Sequence, residues 1–248
     1  MKILDESVDS EILRIMPVGA ITKGVLDAAP VAKSANVDYL LLMPTQYAYP
    51  TAGSAEHGGL EKYCRMYYEA HECPLLLYLK SDFPQGGFDV LERLADDGVC
   101  AGVKYADPNV NNLRIFMKRF GGKLSVSCGL AERFIPFMAV LGVKAFTTGF
   151  GNIAPSVSLL IFKLIGEGKI EEAMPWLETA WKMEDSRARR NSGLNQSSLH
   201  YAMEKSGMSD APTSMIYDRV NSDEAAEIDS FLPEILGAEQ RAAALLAE

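Results

Sequence analysis

"GVCAGVKYADPN", residues 98–109, is a run of small and apolar residues that ends in a lysine, Lys104, and passes at once into turn residues. A short apolar run bounded by glycine on one side and Asp-Pro-Asn on the other has the length and punctuation of a buried strand. A lysine that closes such a strand is either paired with an anion or chemically employed, because an uncompensated buried ammonium is costly.

Similar runs recur on both sides of it: "MPVGAIT" (16–22), "DYLLLMP" (38–44), "CPLLLYLK" (73–80), "KLSVSC" (123–128) and "KAFTTGF" (144–150). Longer amphipathic segments separate them. A helix is expected over roughly 24–35, weakened by Pro30, and a long polar loop leads from residue 44 to the next helix. In "GLEKYCRMYYEAH", Leu60, Tyr63, Cys64, Tyr67, Tyr68 and His71 recur at helical spacing and form one face. Further helices are expected at "FDVLERLADD", "NVNNLRIFMKRF", "AERFIPFMAVLG" and "PSVSLLIFKLIGEG". Continuous apolar strands alternating with helices predict a parallel sheet buried on both faces. The pattern gives six βα units over residues 1–168, followed by a helical extension of the same domain over 169–248. That extension includes a last helix begun by Asn221, with Glu224 in capping-box position.

At 248 residues and 48% hydrophobic, the chain can fill one substantial core. A net charge of −9 and a pI near 5.0 argue against a nucleic-acid partner, and "RARR" at 187–190 is too short to alter that. Cys64, Cys73, Cys100 and Cys128 form no CxxC pair and join no histidine in a metal-ligand spacing, so they read as core thiols of a reducing compartment. With no signal-peptide pattern and no apolar run of spanning length, no membrane association is expected and the location reads as cytoplasmic.

In a parallel α/β barrel, functional side chains sit at the carboxyl ends of strands. Lys123 and Lys144 begin their strands and read as solvated. Lys104 ends one, and the two-residue period places it on a face with Gly102 and Cys100, whose small side chains leave room for a ligand. If the strands at 73–80 and 98–104 are neighbours, Tyr78 and Lys104 converge. A tyrosine beside an amine in a desolvated pocket can relay protons while the neutral amine attacks a carbonyl to form a Schiff base. The alternatives are an ion pair from Lys104 to Asp82 or Asp107, and a Tyr78 that merely fills the core. Lys80 shares the parity of Tyr78 and is a rival nucleophile, but "LKSDFPQGG" suggests that the chain is already leaving the strand there. The third feature is "TTGFGNIAP" at 147–155, whose hydroxyls and backbone groups before a Pro155-initiated helix can face a carboxylate. It lacks the spacing of a dinucleotide site.

Taken together, "MPVGAI", "ANVDYLLLMP", "CPLLLYL", "GVCAGVKYAD", "LSVSCGLAE" and "GVKAFTTGFGNIAP" resemble, in order, the dihydrodipicolinate synthase / N-acetylneuraminate lyase family of class I aldolases. The resemblance implies a TIM (β/α)8-type barrel, here N-terminally incomplete, that binds pyruvate or a sugar-derived 2-keto acid. It assigns the Schiff base to Lys104 and the proton relay to Tyr78, and it places the turn of Thr147, Thr148 and Gly149 beside the bound keto acid. No metal or diffusible cofactor is implied, and the family forms homo-oligomers, dimers or tetramers.

Three departures qualify the resemblance. The family's first two βα units, with the Gly-Thr-Thr-Gly-Glu carboxylate motif, have no counterpart in this sequence. The usual Tyr-Asn-x-Pro reads Tyr78-Leu79-Lys80-Ser81. The position where dihydrodipicolinate synthases carry an arginine is Phe83, which speaks against the lysine-pathway aldehyde as second substrate. The expected activity is therefore a lyase or aldolase. The alternatives are a dehydratase of keto-deoxy sugar acids or an inactive binding or scaffold member.

Overall fold

The structure is a computed structural model that describes residues 12–18, 29–43, 58–81, 83, 86–209 and 218–247. Parts of the expected 16–22 strand and 24–35 helix, the loop after residue 43, His57 and Asp82 lie outside the described residues. The chain divides into two compact units, Met1–Gly129 and Leu130–Glu248.

The first unit is a parallel sheet of strands β1 (Ile15–Val18), β2 (Tyr39–Leu42), β3 (Leu75–Lys80), β4 (Cys100–Ala106) and β5 (Ser125–Cys128), paired in sequence order. Helices α1 (Ala29–Ser34), α2 (Gly58–His71), α3 (Gly87–Asp96) and α4 (Val110–Phe120) alternate with the strands. One face of the sheet is the core: Leu40, Leu42, Leu75, Leu77, Leu79, Val103, Tyr105, Val126 and Cys128 are all buried. The expected stripe of α2 supplies Leu60, Cys64, Tyr67 and His71 as buried residues, while Tyr63 and Tyr68 are half-buried at its margins. Phe88, Phe116, Phe120 and Tyr105 form an aromatic cluster, with ring centroids 4.7–5.7 Å apart in the pairs that touch.

Local chemistry sets the helix boundaries. The Asn109 side chain accepts from the N–H groups of Asn111 and Asn112 at the start of α4. Gly98 turns the chain into β4 with a positive φ of 71°, where a Cβ would be strained.

Two expectations are corrected here. A register shift between Leu75 and Leu76 places Cys100 opposite Leu75 and Gly102 opposite Leu76. Cys100 therefore faces the helices, and Gly102 alone of the pair shares the face of Lys104. Lys80 has not left the strand; it is the last residue of β3 and lies exposed.

The second unit begins with α5 (Ala131–Ala139) and a two-residue strand β6 (Ala145–Phe146), followed by a 3-10 turn (Phe150–Asn152). Then come α6 (Pro155–Gly166), α7 (Ile170–Ser192), α8 (Ser197–Lys205) and α9 (Ser222–Ala247). Its core is helix on helix, with Val157 and Ile161 of α6, Leu177 and Met183 of α7, and Phe231 and Ile235 of α9 buried. Pro155 opens α6 at a position where its missing N–H costs nothing. The capping box of α9 forms as expected: Asn221 Oδ1 accepts from Glu224 N–H at 2.9 Å, and Glu224 Oε2 accepts from Asn221 N–H at 2.8 Å.

The basic run at 187–190 is spent within this unit. Arg187 pairs with Glu184, Arg189 with Glu227 at 2.5 Å, and Arg190 forks onto Glu224 at 2.8 and 2.9 Å.

Candidate active site

Lys104 and Tyr78 are register partners on adjacent strands, and their side chains share one face of the sheet. The Lys104 ammonium nitrogen lies 4.6 Å from the centroid of the Tyr78 ring. Lys80 Nζ lies 5.6 Å from the same ring centroid, so two lysines lie against one aromatic ring. A cation at that distance is attracted by the ring quadrupole. Lys104 and Tyr78 are half-buried whereas Lys80 is exposed, and that difference in solvation separates the two amines. Burial pushes the Tyr78 hydroxyl above the usual phenol range, so near neutral pH it holds its proton.

Asp107, one expected ion-pair partner of Lys104, is engaged in the turn after β4. Its carboxylate accepts from Asn109 N–H at 2.9 Å and from the Asn112 amide at 2.7 Å. Lys123 sits at the opposite end of its strand, exposed, bridging Glu92 and Asp96 at 2.9 Å each. Lys144 is likewise exposed.

The same face holds two residues that the sequence reading did not single out. Ser127 is the register partner of Lys104 on β5, so Tyr78, Lys104 and Ser127 form one row across three strands. Adjacent strands in such a row are about 5 Å apart. Gly129 follows on the same parity, and a Cβ there would stand 3.0 Å from Lys104 Cγ and 3.0 Å from Ala106 Cβ. Glycine at 129 thus keeps the lysine stem in its place. The alternation in "LSVSCG" carried this signal, since Ser125, Ser127 and Gly129 are its small, polar-side residues.

In the second unit, Thr147 is exposed while Thr148 and Gly149 are half-buried. Thr148 Oγ1 accepts from Gly151 N–H at 2.8 Å, and the Asn152 amide donates to Gly149 O at 2.9 Å, so the turn is internally braced. The N-terminus of α6 already holds a carboxylate. Glu239 of α9 accepts from Ser156 N–H at 2.9 and 3.1 Å and from Val157 N–H at 3.1 Å. The backbone groups expected to face a ligand's carboxylate at this helix start are therefore engaged by the chain itself.

A cavity of about 520 Å³ adjoins the turn within this unit, walled by Phe146, Thr148, Pro155, Ser158, Leu159 and Phe162. Gly149 lies against Arg187, where a Cβ would come within 2.4 Å of Nη2. Among the described residues no group of three or more His, Cys, Asp or Glu can hold a metal ion. Among the same residues no helix is long and apolar enough to cross a membrane.

Parallel strands paired in sequence order and alternating with helices are the arrangement of a TIM-type barrel, a class in which functional side chains sit at the carboxyl ends of strands. The profile of the dihydrodipicolinate synthetase family matches residues 1–230, and the chain belongs to that family. Among solved structures it is similar to dihydrodipicolinate synthase from Oceanobacillus iheyensis, with 22% identity, 94% of this chain and 75% of that chain covered, and a TM-score of 0.82. The enzyme of the same name from Bacillus clausii gives 24%, 91%, 74% and 0.80. N-acetylneuraminate lyase from Fusobacterium nucleatum, solved with pyruvate, gives 16%, 94%, 76% and 0.78. At these identities the likeness is one of fold, an incomplete TIM barrel. No curated protein matches the sequence.

Proposed function

We propose that this protein is a Schiff-base-forming lyase or aldolase acting on pyruvate or a sugar-derived 2-keto acid. The observation that carries this is the register pairing of Tyr78 with Lys104, Nζ to ring at 4.6 Å, in a chain of the dihydrodipicolinate synthetase family. Neutral Lys104 Nζ adds to the keto carbon, and one proton passes from the nitrogen to the former carbonyl oxygen, giving a carbinolamine. Tyr78, still protonated because of its burial, supplies the proton with which the hydroxyl leaves as water, giving the iminium. The iminium draws electrons from the adjacent carbon, so that a carbon–carbon bond there forms or breaks. Thr147, Thr148 and Gly149 are assigned to the keto-acid contact. The protein works in this reading as a cytoplasmic homo-oligomer without a metal.

Borohydride reduction in the presence of pyruvate, followed by peptide mass spectrometry, tests the assignment. A stable adduct on Lys104 is expected, abolished by Lys104→Ala and retained in Lys80→Ala. Labelling that disappears only with Lys80→Ala identifies the other amine. An unlabelled wild-type protein, beside a labelled family member, overturns the enzyme reading.

A further inference from the structure

Lys80 closes β3 and is exposed, so its side chain is free to extend into water. Its Nζ instead lies 5.6 Å from the centroid of the Tyr78 ring, on the face that carries Lys104. Among the described residues no carboxylate forms a salt bridge with it. Asp107, in the turn after β4, is buried and already accepts from Asn109, Asn112 and Tyr105.

The register defines what surrounds this amine. Beyond the row of Tyr78, Lys104 and Ser127, two residues further along the strands, Lys80 pairs with Ala106. Gly129 follows beside Ala106. A methyl group and a hydrogen therefore leave room next to the Lys104 amine, and the Lys80 ammonium and the Tyr78 ring border that room. Among the strand residues of β1 to β5 that share this face, two are cationic, Lys80 and Lys104, and none is acidic. In a chain of net charge −9 this face is locally positive. Two cations against one ring repel each other, and an anion entering between them relieves that cost.

A 2-keto acid carries its carboxylate on the carbon next to the one that Lys104 attacks. The helix start expected to receive that carboxylate, at α6, is engaged by Glu239. We propose that Lys80 is a substrate-binding residue whose ammonium pairs with the carboxylate of the keto acid, and so selects charged over neutral ketones. This rests on the reading of Lys104 as the Schiff-base nucleophile. The iminium keeps one positive charge on Lys104, so the carboxylate stays between two cations after the adduct forms. Lys80 keeps its proton throughout and forms no covalent bond. An ammonium on a flexible stem is a point charge that can follow the carboxylate from the free ketone to the adduct. Because Lys80 is exposed, salt screens the pair.

The test compares full-length wild type, Lys80→Ala and Lys80→Arg with two ketones, pyruvate and its methyl ester, which keeps the keto carbon and lacks the charge. The quantity read is the ketone concentration that half-saturates borohydride trapping on Lys104, at low and at high sodium chloride. Intrinsic differences between the ketones cancel in the ratio of variant to wild type. Lys80→Ala is expected to raise the pyruvate value about five- to ten-fold, between the worth of an exposed ion pair and that of a hydrogen bond to a charged group. The methyl ester value is expected to stay where wild type has it. Lys80→Arg keeps the charge and is expected to follow wild type with both ketones. High salt is expected to weaken pyruvate trapping in wild type and to narrow its gap from Lys80→Ala.

Equal losses for the two ketones tie Lys80 to the Tyr78 ring alone and overturn the proposal. An unchanged pyruvate value in Lys80→Ala overturns it as well. Lys80→Gln, of nearly the same length without the charge, is expected to match Lys80→Ala and decides the question if the alanine variant does not fold. An adduct on Lys80 in place of Lys104 overturns both assignments, because Lys80 is then the nucleophile. Absence of any adduct in wild type overturns the Lys104 reading, and the pyruvate-induced rise in melting temperature then decides for Lys80. A rise lost in Lys80→Ala supports the pairing, and an equal rise overturns it. Absence of that rise in wild type overturns both.

Discussion

The two units differ in how much charge they bury. In Met1–Gly129 the ion pairs lie on the helix exteriors: Arg119 reaches Asp89 and Glu92 at 2.6 Å each, and Arg65 joins Glu61 to Asp97 at 2.9 and 2.5 Å, all half-buried or exposed. In Leu130–Glu248 the carboxyls of Glu132, Glu184 and Glu224 are buried, and the arginines Arg187 and Arg190 are bound to them or beside them. A sheet covered by amphipathic helices leaves these ion pairs at the surface, while its buried Asp107 is held by backbone and amide donors. A helix-on-helix unit with an arginine-rich kink, where Arg190 and Asn191 take positive φ values of 51° and 54°, folds its charges in with the chain.

The sharpest way to break this comparison is through the sheet itself. A Cβ on Gly102 would stand 2.5 Å from the Ser125 carbonyl oxygen of the neighbouring strand and 3.1 Å from Leu76 Cδ2. The Ser125 backbone carbonyl cannot yield as a side chain can, so Gly102→Ala is expected to cost about 2–3 kcal/mol in urea unfolding. An unchanged midpoint would show that β4 and β5 are less tightly joined than their register implies.

Next in size is Glu239→Ala, which strips the carboxylate from the first N–H groups of α6. A loss of about 1–2 kcal/mol is expected, and Glu239→Gln should recover part of it. Equal losses in the two variants would mean that the charge, and not a neutral acceptor, carries the cap, and no loss in either would show that Glu239 does not cap the helix.

Smallest is Arg119→Ala, expected to cost under about 1 kcal/mol and less still at high salt, because exposed pairs are screened. Titration separates the units as well. Glu92 is held down to about 2 by hydrogen bonds from Arg119 and Lys123. A depressed carboxyl contributes stability above its ordinary value near 4.5, and that contribution is lost as pH falls toward 2. Glu132 and Glu184 are raised by burial, so their contribution is present in acid and lost as pH climbs above 4.5. Melting temperatures of Glu92→Gln and Glu132→Gln should therefore approach wild type in acid and part from it in opposite directions above about 4.5, Glu92→Gln falling below wild type and Glu132→Gln rising above it. A shift of both in the same direction would contradict the assignment.

Much of the first unit was legible because its information is local. The apolar runs gave β3 and β4, and strand parity put Tyr78 and Lys104 side by side once those strands were taken as neighbours. The Asn221–Glu224 capping box was visible as spacing alone. Cys100 was misplaced because a one-residue register shift reverses facing, and nothing in "GVCAGVK" marks such a shift. Glu132 was passed over because an acid in a first helical turn ordinarily faces water, where it complements the helix dipole. Its burial depends on Ser158 and Trp181, which approach from elements far along the chain. Glu239 is a similar case, 83 residues from the backbone it caps.

The placement of sulfur has a practical consequence. All four cysteines lie in the first unit and all are buried. Burial pushes the Cys100 thiol up to about 12 and raises Cys64 and Cys73 as well. Since the thiolate is the reactive species, an alkylating reagent can reach these atoms efficiently only when the surrounding strands part. The chain thus carries a stopwatch for the opening of one half of itself. Alkylation timed by mass spectrometry counts how often the sheet around Lys104 breathes, while the half that holds Glu132 stays silent to the same reagent.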